Sequence, residues 1–101
     1  MTTQTPVNKS GNVTWNEFTP FAGSVTTVAT LTSATIYYTI QNKGTGDITV
    51  AFAGTVASST TGFLLKPGSS LEFSNFIPLG DVSVRTDLTG TPSFVQMIAS
   101  V

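Results

Sequence analysis

The chain has 101 residues, which fits one domain able to bury about two-thirds of its unfolded surface. It contains no Cys and no His, so disulfides, thiolate metal sites and Ser-His-Asp or Cys-His catalysis are excluded. Charged residues are 9% of the chain, against about 25% in an average domain, and the net charge is −1, so no basic surface is on offer to DNA or RNA.

Polarity comes instead from Thr and Ser along the whole length. The β-branch of Thr favours strands. Residues 1–12 are polar and turn-rich and read as an N-terminal arm whose one apolar anchor is Val7. The arm has neither the basic n-region nor the apolar h-region of a secretory signal, and no later run reaches the 18 or so apolar residues of a membrane helix. The glycosylation patterns at Asn8 and Asn12 are the chance matches that a Thr/Ser-rich chain produces.

Helical periodicity is absent, and short alternating runs separated by turn signals follow one another. Val13 to Phe18 reads as a first strand, stopped at Pro20. Gly23 to Leu31 reads as a second, with Val25 and Val28 out of alternation, which predicts a bulge. In the third, Thr35 to Ile40, the alternation places Ile36, Tyr38 and Ile40 on one face. The loop Asn42-Lys43-Gly44-Thr45-Gly46-Asp47 and the run Ile48 to Phe52 then predict a hairpin with the third strand. Gly54 to Thr61 is a small-residue loop. Gly62 to Leu65 starts a strand, Pro67-Gly68 is a type II turn signature, and Ser70 to Phe73 returns. Another turn is expected at Pro78-Leu79-Gly80-Asp81. Beyond it Val82 and Val84 face one way, Ser83 and Arg85 the other. Thr89-Gly90-Thr91-Pro92 breaks the chain before a last strand, Phe94 to Val101, apolar on both faces in part and therefore central or covered. The fold expected is all-β: a single antiparallel β-sandwich over 13–101, jelly-roll-like or immunoglobulin-like, of seven or eight short strands. The uncharged windows Thr35 to Ile40 and Ile48 to Ala53 should be central strands, or be covered by another copy, because on open edges they would aggregate.

The carboxylates Glu17, Asp47, Glu72, Asp81 and Asp87 show no spacing that predicts a facing catalytic pair. Asp47 and Asp81 read as turn residues, and Glu72 as a solvent-facing strand residue between Leu71 and Phe73. No calcium loop is present, and Gly44-Thr45-Gly46 lacks the Lys-Ser/Thr of a phosphate loop. No catalytic residue, metal site or cofactor is expected. Trp15, Phe18 and Phe21 recur every third residue around Pro20, which in a polyproline-like segment puts them on one edge. They are candidate partner contacts, together with Val7. Trp15 or Tyr37 is also a candidate for stacking on sugar rings. The simpler role for the aromatic triplet is to cap one end of the core, because small domains need their aromatics inside.

The run Gly62-Phe63-Leu64-Leu65-Lys66-Pro67-Gly68-Ser69-Ser70-Leu71-Glu72-Phe73 resembles a recurring segment of small virion proteins of tailed bacteriophages. So do Ile40-Gln41-Asn42-Lys43-Gly44 before it and Asp81-Val82-Ser83-Val84-Arg85-Thr86, then Thr89-Gly90-Thr91, after it. The resemblance covers 34–101. It implies a structural virion protein: a capsid decoration protein in many copies, or a tail- or fibre-associated module adhering to host glycans. Its expected partners are copies of itself and a major capsid or tail protein, with assembly in the host cytoplasm. Nucleic acid and membrane are not expected partners.

Overall fold

The computed structural model describes residues 12–19, 23–87 and 90–101. Val7, Phe21, Pro20, Thr89 and the arm up to residue 11 lie outside the described residues. The elements are β1 (Asn12–Phe18), β2 (Val25–Leu31), β3 (Thr35–Asn42), β4 (Ile48–Ala51), β5 (Phe63–Leu65), β6 (Ser70–Phe73), β7 (Gly80–Thr86) and β8 (Phe94–Ser100).

They form two four-stranded sheets, ordered β1-β8-β3-β6 and β2-β7-β4-β5. Every pairing is antiparallel. Apart from β4 to β5, each connection carries the chain from one sheet to the other. This winding is the eight-stranded jelly roll, and it separates the fold from an immunoglobulin sandwich, whose first two strands share a sheet. The uncharged strands β3 and β4 are each flanked on both sides, and β8 lies between β1 and β3, as their sequences require.

The core is the space between the two inner faces. Tyr38, Ile40 and Phe94 fill it from the first sheet; Leu31, Ile48, Val50, Leu65, Val82 and Val84 fill it from the second. Each such side chain contributes about 1.5–3 kcal/mol by leaving water. Phe52 meets Tyr38 and Phe73 edge-on, with ring centroids 6.0 and 5.0 Å apart, and closes the side of the sandwich near β5 and β6.

Three sequence expectations are corrected. The hairpin predicted between the third and fourth strands does not exist: β3 pairs with β8 and β6, and β4 with β7 and β5. The intervening loop is a corner between sheets. Buried Asn42 holds it, its Nδ2 donating to the carbonyls of Gly46 and Leu65 and its Oδ1 accepting from the Gly44 N–H. The Pro67-Gly68 turn forms with Gly68 at φ 87° and a bond from the Ser69 N–H to the Lys66 carbonyl, but it too changes sheets. Finally, Ile36 does not share the face of Tyr38 and Ile40. The register between β3 and β8 shifts between Thr35 and Tyr37, which buries Thr35 and leaves Ile36 38% exposed.

The predicted irregularity in the second strand is a bulge between Thr27 and Ala29, against β7. It takes Val28 out of the ladder. The Val28 carbonyl instead accepts from Gln96 Nε2 at 2.9 Å, across the core from β8. Gln96 is 1% exposed, and its Oε1 accepts from the Tyr38 hydroxyl at 2.8 Å.

Burial holds the Tyr38 phenol well above its ordinary pKa of 10.0. The folded state therefore keeps this proton where the unfolded state releases it. The stabilisation is present below pH 10 and lost as pH rises above it, at up to about 1.4 kcal/mol per pH unit. Denaturant unfolding between about pH 8 and 11 should show this decline in the native chain and a shallower one in Tyr38→Phe. The same variant should lose about 1–3 kcal/mol at neutral pH, because Gln96 Oε1 loses its donor. Equal pH slopes would refute the role given to Tyr38.

Candidate functional site

The inner faces are consumed by the core, which leaves the outer faces, the sheet edges and the loops to meet a partner, and the two outer faces differ. On the first sheet the register aligns Val13–Ala99–Tyr37, then Trp15–Met97–Thr39–Glu72, then Glu17–Val95–Gln41–Ser70. The β1 and β8 ends of these rows are mostly apolar, with Val13 64% and Trp15 57% exposed. The charges in the rows are carboxylates, Glu17 and Glu72. The indole Nε1 of Trp15 points at Glu17 Oε2, 3.5 Å away. The Tyr37 hydroxyl donates to Glu72 Oε2 at 2.6 Å, and this bond to a carboxylate is the main cause that raises the Tyr37 pKa.

Trp15 and Tyr37 thus share a face, as a sugar-stacking pair would require, but with β8 between them. Trp15 and Phe18 do not share an edge. β1 is a regular strand paired with β8 throughout, and its period of two sends side chains three apart to opposite faces. Phe18 turns inward and stacks on Phe94 with ring centroids 4.9 Å apart, so it caps the core rather than lying beside Trp15.

The outer face of the second sheet mixes charged and polar side chains with exposed Leu64 and Val25. One row is Leu64–Thr49–Arg85–Val25. One step along the same face are Lys66, Asp47 and Asp87: Lys66 Nζ lies 3.2 Å from Asp47 Oδ2, and the Asp87 N–H donates to the Asp47 carbonyl at 3.1 Å. Asp47, Thr49, Ser59, Leu64, Arg85 and Asp87 line a half-open cleft of about 270 Å³.

The loop 52–62 supplies the cleft's wall. It turns at Ala53-Gly54, both with positive φ (59° and 79°), then folds back over the sheet. Ser83 anchors it: its Oγ accepts from the Ala57 N–H at 2.8 Å and donates to the Thr55 carbonyl at 2.9 Å. Ala57 is left 2% exposed. Ser58 Oγ then accepts from the Thr60 and Thr61 N–H groups and holds the turn beside Ser59.

The sequence placed Asp47 and Asp81 in turns and saw a small-residue loop at 54–61, but did not anticipate the cleft. Asp81 is a β7 residue, whose Oδ1 accepts from Thr30 Oγ1 at 2.6 Å. Glu72 points outward between inward Leu71 and Phe73, as its alternation implies. Among the described residues, no three His, Cys, Asp or Glu side chains gather as metal ligands, and no helix is long and apolar enough to cross a membrane.

No family model matches the chain, and no curated protein matches it. Among solved structures, a de novo designed double-stranded β-helix aligns with a TM-score of 0.51 at 21% identity, covering 88% of this chain and 99% of that one. That likeness concerns the fold alone. A chain from the Bacillus endospore appendages, described as a family of disulfide-linked pili, aligns over 100% of this chain and 98% of its own at 15% identity, with a TM-score of 0.46.

Ser83→Ala tests the anchoring of the cleft wall. It leaves the Ala57 N–H and the Thr55 carbonyl without their partner, an expected cost of about 1–3 kcal/mol. At roughly 4–8 °C per kcal/mol for a domain of this size, the fall in Tm is readily measured, and amide exchange at Ala57 should accelerate. An unchanged Tm and unchanged exchange would mean the loop is held by something else.

Proposed function

We propose that this chain is a structural, non-catalytic module that works in many copies, docking on its own copies and on a protein lattice through the outer face of the β1-β8-β3-β6 sheet. The observation that carries this is the outward apolar stretch of exposed Val13 and Trp15 beside half-buried Val95, Met97 and Ala99, on rows whose charges are two carboxylates. A large aromatic left more than half exposed on the outer face of the edge strand β1 is the kind of anchor that interfaces bury. The tailed-bacteriophage resemblance supplies the particle: a capsid, as a decoration protein, or a tail. The missing His and Cys support a role without catalysis. The arm, with Val7, is the second element of docking in this reading, stapling neighbours together.

Light scattering over a range of concentrations is the test. The native chain should form a trimer or a larger ring. Trp15→Asp should shift it to monomer at unchanged secondary structure, and removing residues 1–11 should weaken assembly while the domain stays folded. A native chain that is monomeric throughout would overturn the proposal. So would a Trp15→Asp variant that assembles as well as the native one.

A further inference from the structure

We propose that the cleft on the opposite sheet is a saccharide site, taking one neutral sugar ring. The chain has nine charged residues. Four of them, Asp47, Lys66, Arg85 and Asp87, converge on this one patch of β4, β5 and β7. Stability does not account for the gathering. The Lys66–Asp47 pair is exposed, and exposed pairs contribute at most about 1 kcal/mol. The wall of the cleft is built on purpose-made contacts, since Ser83 on the sheet is buried to hold the loop that brings Ser59 over the floor.

The donors and acceptors present select the ligand. Arg85 offers a planar fork of N–H donors, Asp47 and Asp87 offer acceptors, and Thr49 and Ser59 offer hydroxyls that do both. Vicinal sugar hydroxyls, each donor and acceptor at once, match that set. Leu64, 58% exposed, supplies an apolar surface for the C–H face of the ring. Two carboxylates at the rim disfavour sialic or uronic acids. Arg85, one step along from them beside Thr49, disfavours a free cation. The cleft's 270 Å³ is just under the roughly 300 Å³ at which drug-sized sites begin, which suits one ring and not an oligosaccharide chain. A single aliphatic contact, Leu64, and a half-open cleft imply weak binding by a single copy. If the chain also acts in many copies, avidity multiplies that affinity by about 10²–10⁴.

The site lies on the opposite sheet from Trp15 and does not depend on the docking proposal. Its test is saturation-transfer NMR on the intact chain, followed by titration. The probes are methyl glycosides of neutral hexoses and deoxyhexoses, with sialyllactose and glycine as anionic and zwitterionic controls. At least one neutral glycoside should bind with a Kd on the order of 1 mM. Arg85→Gln should weaken it about tenfold or more. Thr49→Val, isosteric and suited to a strand, should weaken it with the fold intact, and so covers the case in which Arg85→Gln perturbs folding. Trp15→Ala should bind as the native chain does. The proposal is overturned by no transfer from any neutral glycoside, by preference for sialyllactose or glycine, by full binding in Thr49→Val, or by loss of binding in Trp15→Ala.

Discussion

The buried amide of Gln96 sets the relation between the two sheets. Apolar burial drives them together but is nearly indifferent to how far one slides over the other. A buried amide is not indifferent. Gln96 accepts from Tyr38 on the neighbouring strand and donates to the Val28 carbonyl on the other sheet, and it reaches Asn16 on β1 at 3.3 Å. Sliding the sheets would strand these groups out of reach of water, at a cost of roughly 1–3 kcal/mol for each unsatisfied group. Among the described residues no buried side-chain polar atom lacks a partner. The β2 bulge belongs to the same arrangement. It frees the Val28 carbonyl from the ladder and so creates the acceptor that Gln96 uses. A second buried amide, Asn42, does the equivalent work at the β3–β4 corner and ties in β5 as well. Next to it Gly44 passes so close to the Thr91 carbonyl that a Cβ would collide with it, which leaves glycine as the residue for that bend. A cysteine-free domain of this size thereby gains positional specificity that its core alone does not provide.

These interactions also explain which parts of the fold were legible in the sequence. Strand positions, the bulge in β2, the Pro67-Gly68 turn and the inward face of Val82 and Val84 follow from local alternation and turn chemistry, and they are found where the residues imply. Sheet membership does not follow. Ile48 to Phe52 after a glycine loop carries the same pattern whether the chain folds back on β3 or crosses to the other sheet. The difference is made by Asn42, whose partner Leu65 lies 23 positions away. Ile36 misleads for a related reason, since one register shift beside Thr35 reverses its face without altering the pattern. Trp15 and Phe18 look like one edge only if β1 is polyproline-like, and its continuous ladder with β8 excludes that.

The cleft was the least legible feature, because its residues come from four separate stretches of the chain. Asp47, Leu64 and Arg85 become neighbours only through the β4-β5 and β4-β7 pairings, and Ser59 only through the anchoring of its loop on Ser83. Taken separately, each reads as an ordinary turn, strand or loop residue. A sequence signal does exist, though a faint one. In a chain with so few charges, Asp47, Arg85 and Asp87 all fall at strand ends or on strand outer faces, positions that Thr and Ser fill over much of the sandwich.

The jelly-roll winding carries this contrast into three dimensions. Because nearly every connection crosses the sandwich, no stretch of sequence owns a face; each face is assembled from strands that are distant in the chain. The first sheet's exterior thereby gathers Val13, Trp15, Val95 and Met97, and the second sheet's exterior gathers most of the charge that the chain holds away from its termini. Two such exteriors point in opposite directions by construction, and the Gln96 bridge holds them in one fixed orientation. A module that buries its apolar face against a particle must then turn the other outward. On the docking proposed above, the outward face would be the one with the walled cleft, so the geometry that would hide Trp15 is the same geometry that would present Arg85 and its neighbours to solvent.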